Sequence, residues 1–197
     1  PCASITLVED CDVCILPGLA KTVTNVEKSA SGIAGHTDVT YKFTLTNFGA
    51  SEMTNLQIND DLASLSGFIQ VVGSPVITLD EGSSPAMVNT AYAGTGNMLD
   101  GMSGSLNDEE ILCVEVTVEF DASEVDPNEF NTATGGGEPE GGGSPVLDDS
   151  TNGLNPDPDG DGDPSNNNEG TPLFIPCIDL SKEASQTTSC DSPVGNN

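Results

Sequence analysis

The chain has 197 residues, four of them Lys and none Arg, against 32 acidic residues, for a formal charge of −28. That balance excludes nucleic acid and anionic membrane as natural partners, since both need a basic surface. No apolar run approaches the ~18 residues of a membrane-spanning helix.

Trp is absent and aromatic residues make up 4% of the chain. The core must therefore come from Val, Ile, Leu, Ala and a few Phe, and the length suits one sizeable core with attachments. The sequence opens at Pro1 with no signal-peptide pattern, which reads as a processed product or a piece of something longer. Residues 1–18 form an arm carrying Cys2, Cys11 and Cys14, half of the six cysteines. Cys11 and Cys14 make a C-x-x-C, but no second pair or His cluster accompanies it, so zinc is weakly supported. An even count in an acidic, Thr- and Gly-rich chain reads as disulfides in an oxidising compartment. All six (Cys2, Cys11, Cys14, Cys113, Cys177 and Cys190) are disulfide candidates, and the sequence does not choose among their pairings.

From residue 19 to 134 the pattern is that of a β-domain. Residues 19–26 read as a first strand. Residues 38–47 alternate, with Val39, Tyr41, Phe43 and Leu45 on one face and Thr40, Lys42, Thr44 and Thr46 on the other. A period of two is what a half-buried antiparallel strand requires. A turn follows, then a strand over 54–60 with Leu56 and Ile58 inward. Asp60-Asp61 ends it, where turn capping accounts for the two carboxylates. Shorter strands are predicted at 68–72, 76–79 and 87–92. Residues 112–120 form the second strong strand, with Leu112, Val114, Val116, Val118 and Phe120 on its apolar face. Cys113 falls on the other face, where it reaches an arm or a neighbouring chain; a free buried thiol is the alternative. Residues 130–134 close the domain. No helical period survives three turns, and the expectation is an all-β, Ig-like antiparallel sandwich.

Past residue 134 the composition shifts. Residues 135–172 read as a Gly-rich and acidic linker. Within it, Asp157, Asp159, Asp161 and Asp163 recur at every second position, with Gly160 and Gly162 between. Four carboxylates this close repel one another when bare, and a hard divalent cation resolves the conflict. Calcium takes six to eight oxygens from flexible, closely spaced donors, and D-x-D-x-D-G is the first half of an EF-hand-type loop. Asp157, Asp159 and Asp161 match its first three ligand positions and Gly162 its turn. Asp163 falls where a backbone carbonyl binds, and the closing carboxylate, Glu169, comes one residue late. Pro156, Pro158 and Pro164 forbid the flanking helices of an EF-hand. The reading is a helix-free calcium loop; the plain alternative is a solvated acidic linker.

Residues 173–197 restore the apolar pattern. Leu173, Phe174, Ile175, Ile178 and Leu180 resemble the first strand of a further copy with no domain behind it. An orphan strand exposes unpaired N–H and C=O groups and needs an acceptor edge. Donation to a neighbouring copy gives a head-to-tail, open-ended homopolymer. Truncation inside a multi-repeat protein is the alternative.

Three pieces carry a resemblance: Asp38-Val-Thr-Tyr-Lys-Phe-Thr-Leu-Thr-Asn-Phe-Gly49, Thr54-Asn-Leu-Gln-Ile-Asn-Asp-Asp-Leu62 and Phe130-Asn-Thr-Ala-Thr134. Together they resemble the bacterial conserved-repeat, Ig-like surface domain, a family of unknown function. The resemblance implies an Ig-like sandwich, secretion, and tandem stalks or adhesive surface proteins, and it brings no catalytic residues. The expected function is thus a structural subunit of an extracellular, calcium-stabilised, pilus-like filament at the cell surface. The alternative is a repeat of a secreted adhesin binding a glycan or host protein through the loops at 64–73 and 80–104. Thr and Ser are plentiful enough for O-linked glycans. No sequon for N-linked glycans occurs, and no catalytic constellation surrounds the lone His36, so an enzyme is not expected.

Overall fold

The computed structural model describes residues 14–101 and 103–173. It is an antiparallel β-sandwich, as the alternation requires. The first sheet is built on β1 (Pro17–Lys28), β2 (His36–Asn47) and β8 (Ile111–Asp121), with β4 (Phe68–Val71) and β5 (Val76–Asp80) both paired to the far side of β8. The second is built on β3 (Met53–Asp61) and β10 (Thr134–Pro139), flanked by β11 (Val146–Asp149) on one side and by β6 (Thr95–Asn97) and β7 (Ser105–Leu106) on the other. Two short pieces complete it. β12 (Thr151–Asn152) lies parallel against β1, and β9 (Phe130–Asn131) pairs with β13 (Thr171–Pro172).

The two strongly alternating strands meet as expected. Val39, Tyr41, Phe43 and Leu45 of β2 are buried beside Leu112, Val114, Val116, Val118 and Phe120 of β8, in continuous register from His36↔Asp121 to Thr46↔Ile111. Leu56 and Ile58 of β3 close the core from the opposite sheet. β1 carries a bulge between Val23 and Asn25. One extra residue reverses the alternation, so Val23 and Val26 both pack against the core although their spacing is odd.

The turn after β2 is fixed by Asn47, which is fully buried. Its Oδ1 accepts from the N–H of Leu16 and Gly49, and its Nδ2 donates to the carbonyls of Ser51 and Leu106. A Cβ on Gly49 would lie 2.3 Å from the Cys14 carbonyl oxygen, so only Gly lets the chain pass here.

Four sequence expectations change. The strand at 87–92 is absent, and a single bridge, Val88↔Leu99, stands in its place. The sandwich does not end at 134: 135–172 is no free linker, because it supplies β10, β11, β12 and β13. Glycine is the reason this was hidden. A Cβ on Gly137 would sit 2.4 Å from the Thr54 carbonyl oxygen, so the sheet closes there only without side chains. Cys113 is a free, buried thiol 3.9 Å from Thr44 Oγ1, because β5 runs alongside β8 and pairs Leu79 with Cys113. Leu173 is buried in this chain's own core, its N–H donating to the Glu129 carbonyl at 3.0 Å, and is not free for donation. Cys14 is disulfide-bonded. Cys2, Cys11, Cys177, Cys190, Phe174, Ile175, Ile178 and Leu180 lie outside the described residues.

Candidate functional site

The aspartate loop follows β12 and is seated on β1. Pro156 and Pro164, which bracket it, are both buried. Their rings lie against Gly18, where a Cβ would come within 2.8 Å of Pro164 Cβ and 3.0 Å of Pro156 Cβ. Leu19 N–H, one residue along, donates to Asp148 Oδ2 at 2.8 Å. Burial pushes the Asp148 carboxyl up to about 7 against that bond, with the charges of Asp149 and Asp163 adding to the rise.

Between the prolines, one carboxylate oxygen from each of Asp157, Asp159 and Asp161 lies within 4.8 Å of the others. Asp157 is buried at the base, while Asp159 and Asp161 are exposed. Asp157 Oδ1 accepts from Gly160 N–H (3.0 Å) and Oδ2 from Gly162 N–H (2.9 Å), so its carboxylate shapes the turn around itself. Burial works against ionisation of the Asp157 carboxyl, but the Gly162, Asp159, Gly160 and Asp161 hydrogen bonds outweigh burial and hold its pKa below the ordinary value. Asn166 Nδ2 donates to Asp161 Oδ2 (3.0 Å) and Asn167 Nδ2 to Asp159 Oδ1 (3.4 Å). Gly160 and Gly162 adopt left-handed φ values of +71° and +84°, which the tight turn demands. Three carboxylate oxygens this close together could hold a metal ion.

Of the five predicted ligands, Asp157, Asp159 and Asp161 come together. Asp163 does not join them with its carboxylate, which instead caps the turn at Pro164–Asn166 by accepting from Ser165 N–H at 3.2 Å and from its hydroxyl. Glu169 is exposed and outside the group.

A second polar cluster, in the core, was not anticipated as a site. Lys21 Nζ donates to Asp60 Oδ2 at 2.6 Å, and both side chains are wholly excluded from solvent. The Nζ lies 4.7 Å from the centre of the Tyr41 ring and 5.5 Å from that of Phe43. Burial pulls the Lys21 ammonium below its ordinary value and pushes the Asp60 carboxyl up, each opposed by the other's charge. The Asn131 carboxamide bears on the same carboxyl and lowers it. Asp60 Oδ1, Asn131 Oδ1 and Tyr41 Oη are buried without a hydrogen-bond partner. Turn capping by Asp60 is thereby replaced by burial in an ion pair.

This cluster does have a sequence signal. Leu19, Lys21 and Val23 share one face of β1, as Leu56, Ile58 and Asp60 do of β3. A period of two carried through the polar residues places both charges inward.

His36 sits in a hydrogen-bonded cluster around Glu119. Its Nδ1 lies 2.9 Å from Glu119 Oε1, where Ser29 Oγ (2.7 Å) and Gln70 Nε2 (2.7 Å) also bond the carboxylate. The Ser29 hydroxyl also lies 3.0 Å from Ser31 Oγ. Ser31, Gln70, Ser29 and His36 together hold the Glu119 carboxyl down to about 2. The group ties the β1–β2 hairpin to β4 and β8. Separately, Thr44, Phe48, Ile111, Leu154 and Pro156 line a shallow groove of about 310 Å³ beside the aspartate loop.

Among the described residues, no helix is long and apolar enough to cross a membrane. No family model matches the sequence, and no curated protein matches it. Among solved structures it is similar to an inactive mutant of the GH20 exo-β-N-acetylglucosaminidase from Vibrio harveyi. Identity is 10% and the TM-score 0.38, over 70% of this chain and 18% of that one. The chain thus spans less than a fifth of that protein's length.

Proposed function

We propose that this chain is a structural subunit of an extracellular, calcium-stabilised surface filament. One observation carries the reading: the Asp157, Asp159 and Asp161 oxygens converge within 4.8 Å on a loop whose two ends are pinned to β1 by buried prolines. A cation bound there couples the C-terminal part of the chain to the first strand of the sandwich. Asp157, Asp159 and Asp161 are the ligands of this reading, and Asn166 and Asn167 hold two of them in place. The resemblance to conserved-repeat surface domains supports the same role. Head-to-tail assembly, in this reading, uses the apolar residues after Leu173, because Leu173 itself belongs to the subunit's core.

Calorimetric titration of the chelator-stripped chain with calcium, then with magnesium, tests the metal. One saturable calcium site, lost in Asp157→Asn, is expected; no heat with either ion sinks the reading. Calcium at a hundredfold over its Kd stabilises by about 2.7 kcal/mol, which raises Tm by roughly 5–10 °C in a domain of this size. Electron microscopy with and without chelator tests the filament. The adhesin reading is favoured by the groove beside the loop, and a monomeric chain that binds on a glycan array would put it first.

A further inference from the structure

A lysine amine, a carboxyl and a carboxamide share one dry pocket in the sandwich core, brought there by β1, β3 and β9. Lys21 comes from β1, Asp60 from β3 and Asn131 from β9. Lys21 and Asp60 are in direct contact at 2.6 Å, and the Asn131 side chain bears on the same carboxyl. Their same-face neighbours, Leu19 and Val23 on β1 and Leu56 and Ile58 on β3, are apolar, and a buried ion pair adds little net stability over apolar side chains of equal volume. The chain holds four Lys in all, and this one is sealed away from water.

We propose that Lys21 and Asn131 become joined by an intramolecular isopeptide bond, with Asp60 as the catalytic acid and base. The uncharged Nζ attacks Asn131 Cγ while the Asp60 carboxyl protonates the carboxamide oxygen. The same carboxyl then carries the proton released from Nζ to the departing Nδ2. A new Nζ–Cγ bond forms, the Cγ–Nδ2 bond breaks, and one ammonia leaves. Two hydrogens of the carboxamide and one of the amine make up that ammonia, so no oxidant or other reactant is required.

Burial favours the two uncharged forms this step needs, an amine with a free pair and a protonated acid. The two orphaned oxygens fit as well. Asp60 Oδ1 and Asn131 Oδ1 are both buried acceptors with no donor, and a protonated carboxyl carries the donor such a site lacks. The Tyr41 and Phe43 rings beside Nζ keep water from competing with the amine. The product fastens the first strand to the chain 110 residues later, at the point where β9 meets β13.

Intact mass of the full chain, reduced and denatured, tests it. The expected mass is that of the sequence less one ammonia, and peptide mapping is expected to give one branched peptide joining Lys21 to Asn131. Asp60→Asn is expected to restore the ammonia, and Asn131→Asp to lose one water in its place. Full sequence mass in the purified wild-type chain overturns the proposal. So does a missing ammonia that maps to a cyclised asparagine with no branched peptide. Both readouts come from the wild-type chain, so a variant that fails to fold does not affect them.

Discussion

Gly18→Ala separates a seated metal loop from an acidic loop that merely lies nearby. The added Cβ would meet Phe48 Cε2 at 2.7 Å, Pro164 Cβ at 2.8 Å and Pro156 Cβ at 3.0 Å, where ordinary contact begins at 3.4 Å. The Phe48 ring is partly exposed and can tilt. The prolines have no rotamer to escape through and shift only by moving the backbone that carries Asp157, Asp159 and Asp161. Overpacking of this kind costs about 1–3 kcal/mol. In the metal-free chain the loop can lift and relieve the strain, whereas calcium binding needs it seated. The cost should therefore appear mainly as lost affinity, about 5- to 150-fold for that energy. Titration calorimetry on wild type and variant reads the affinity, and denaturation in chelator reads what stability the variant loses without metal. Unchanged calcium affinity with equal destabilisation in calcium and chelator would refute the coupling of loop to strand.

Three further outcomes are expected. Gly137→Ala should destabilise by about 1–3 kcal/mol, since its Cβ would press the Thr54 carbonyl at 2.4 Å, whereas Gly101→Ala meets nothing within 4 Å and should be near neutral; urea titration compares them. Asp148, held up to about 7 when folded against 3.8 in the open chain, stays protonated in the native state over that window while the unfolded state releases its proton. Stability should accordingly fall as pH rises from about 4 to 7, by a few kcal/mol at most, and Asp148→Asn should flatten that fall in urea titrations across pH. Glu119 works in the opposite sense: ionised down to about 2 when folded against 4.5 unfolded, it supports the fold above that upper value and loses its support as pH falls toward 2. Glu119→Gln should thus shrink the acid limb of the stability curve, read by circular dichroism.

The sandwich was legible wherever side chains announce a face. β2 and β8 alternate without interruption, and both were located to within two residues of their ends. β10 was not legible because its Thr-Gly-Gly-Gly run carries no side-chain pattern; its register against β3 comes from backbone pairing and close approach. The aspartate loop was half legible. Carboxylate spacing marked Asp157, Asp159 and Asp161, but only the local turn decides that Asp163 caps Pro164–Asn166 instead of joining them. Lys21 and Asp60 are hidden from a reading that explains Asp60 by its place at a strand end. Their positions in the alternation were the better guide.

β1 is where these features meet. Its Lys21 carbonyl accepts from Gly153 N–H at 3.0 Å and from Thr171 Oγ1 at 2.9 Å, beside the parallel pairing of Ala20 with Thr151 and Lys21 with Asn152. Gly18 lies under the prolines and Leu19 N–H is held by Asp148. The outer edge of β1 is therefore already occupied along the half that faces the aspartate loop, by this chain's own C-terminal residues. A strand donated from a neighbouring copy needs a row of free N–H and C=O groups, and this edge offers few. Among the described residues, the remaining edges are those at β4 and β5 in the first sheet, and at β11 and at β6 and β7 in the second. Val76 and Leu79 on β5, and Val146 and Leu147 on β11, are all exposed there. Apolar side chains left open along an unpaired edge are what an incoming strand covers. In the proposed filament, strand exchange would fall at β5 or β11, because this chain's own residues already cover β1 beside the aspartate loop.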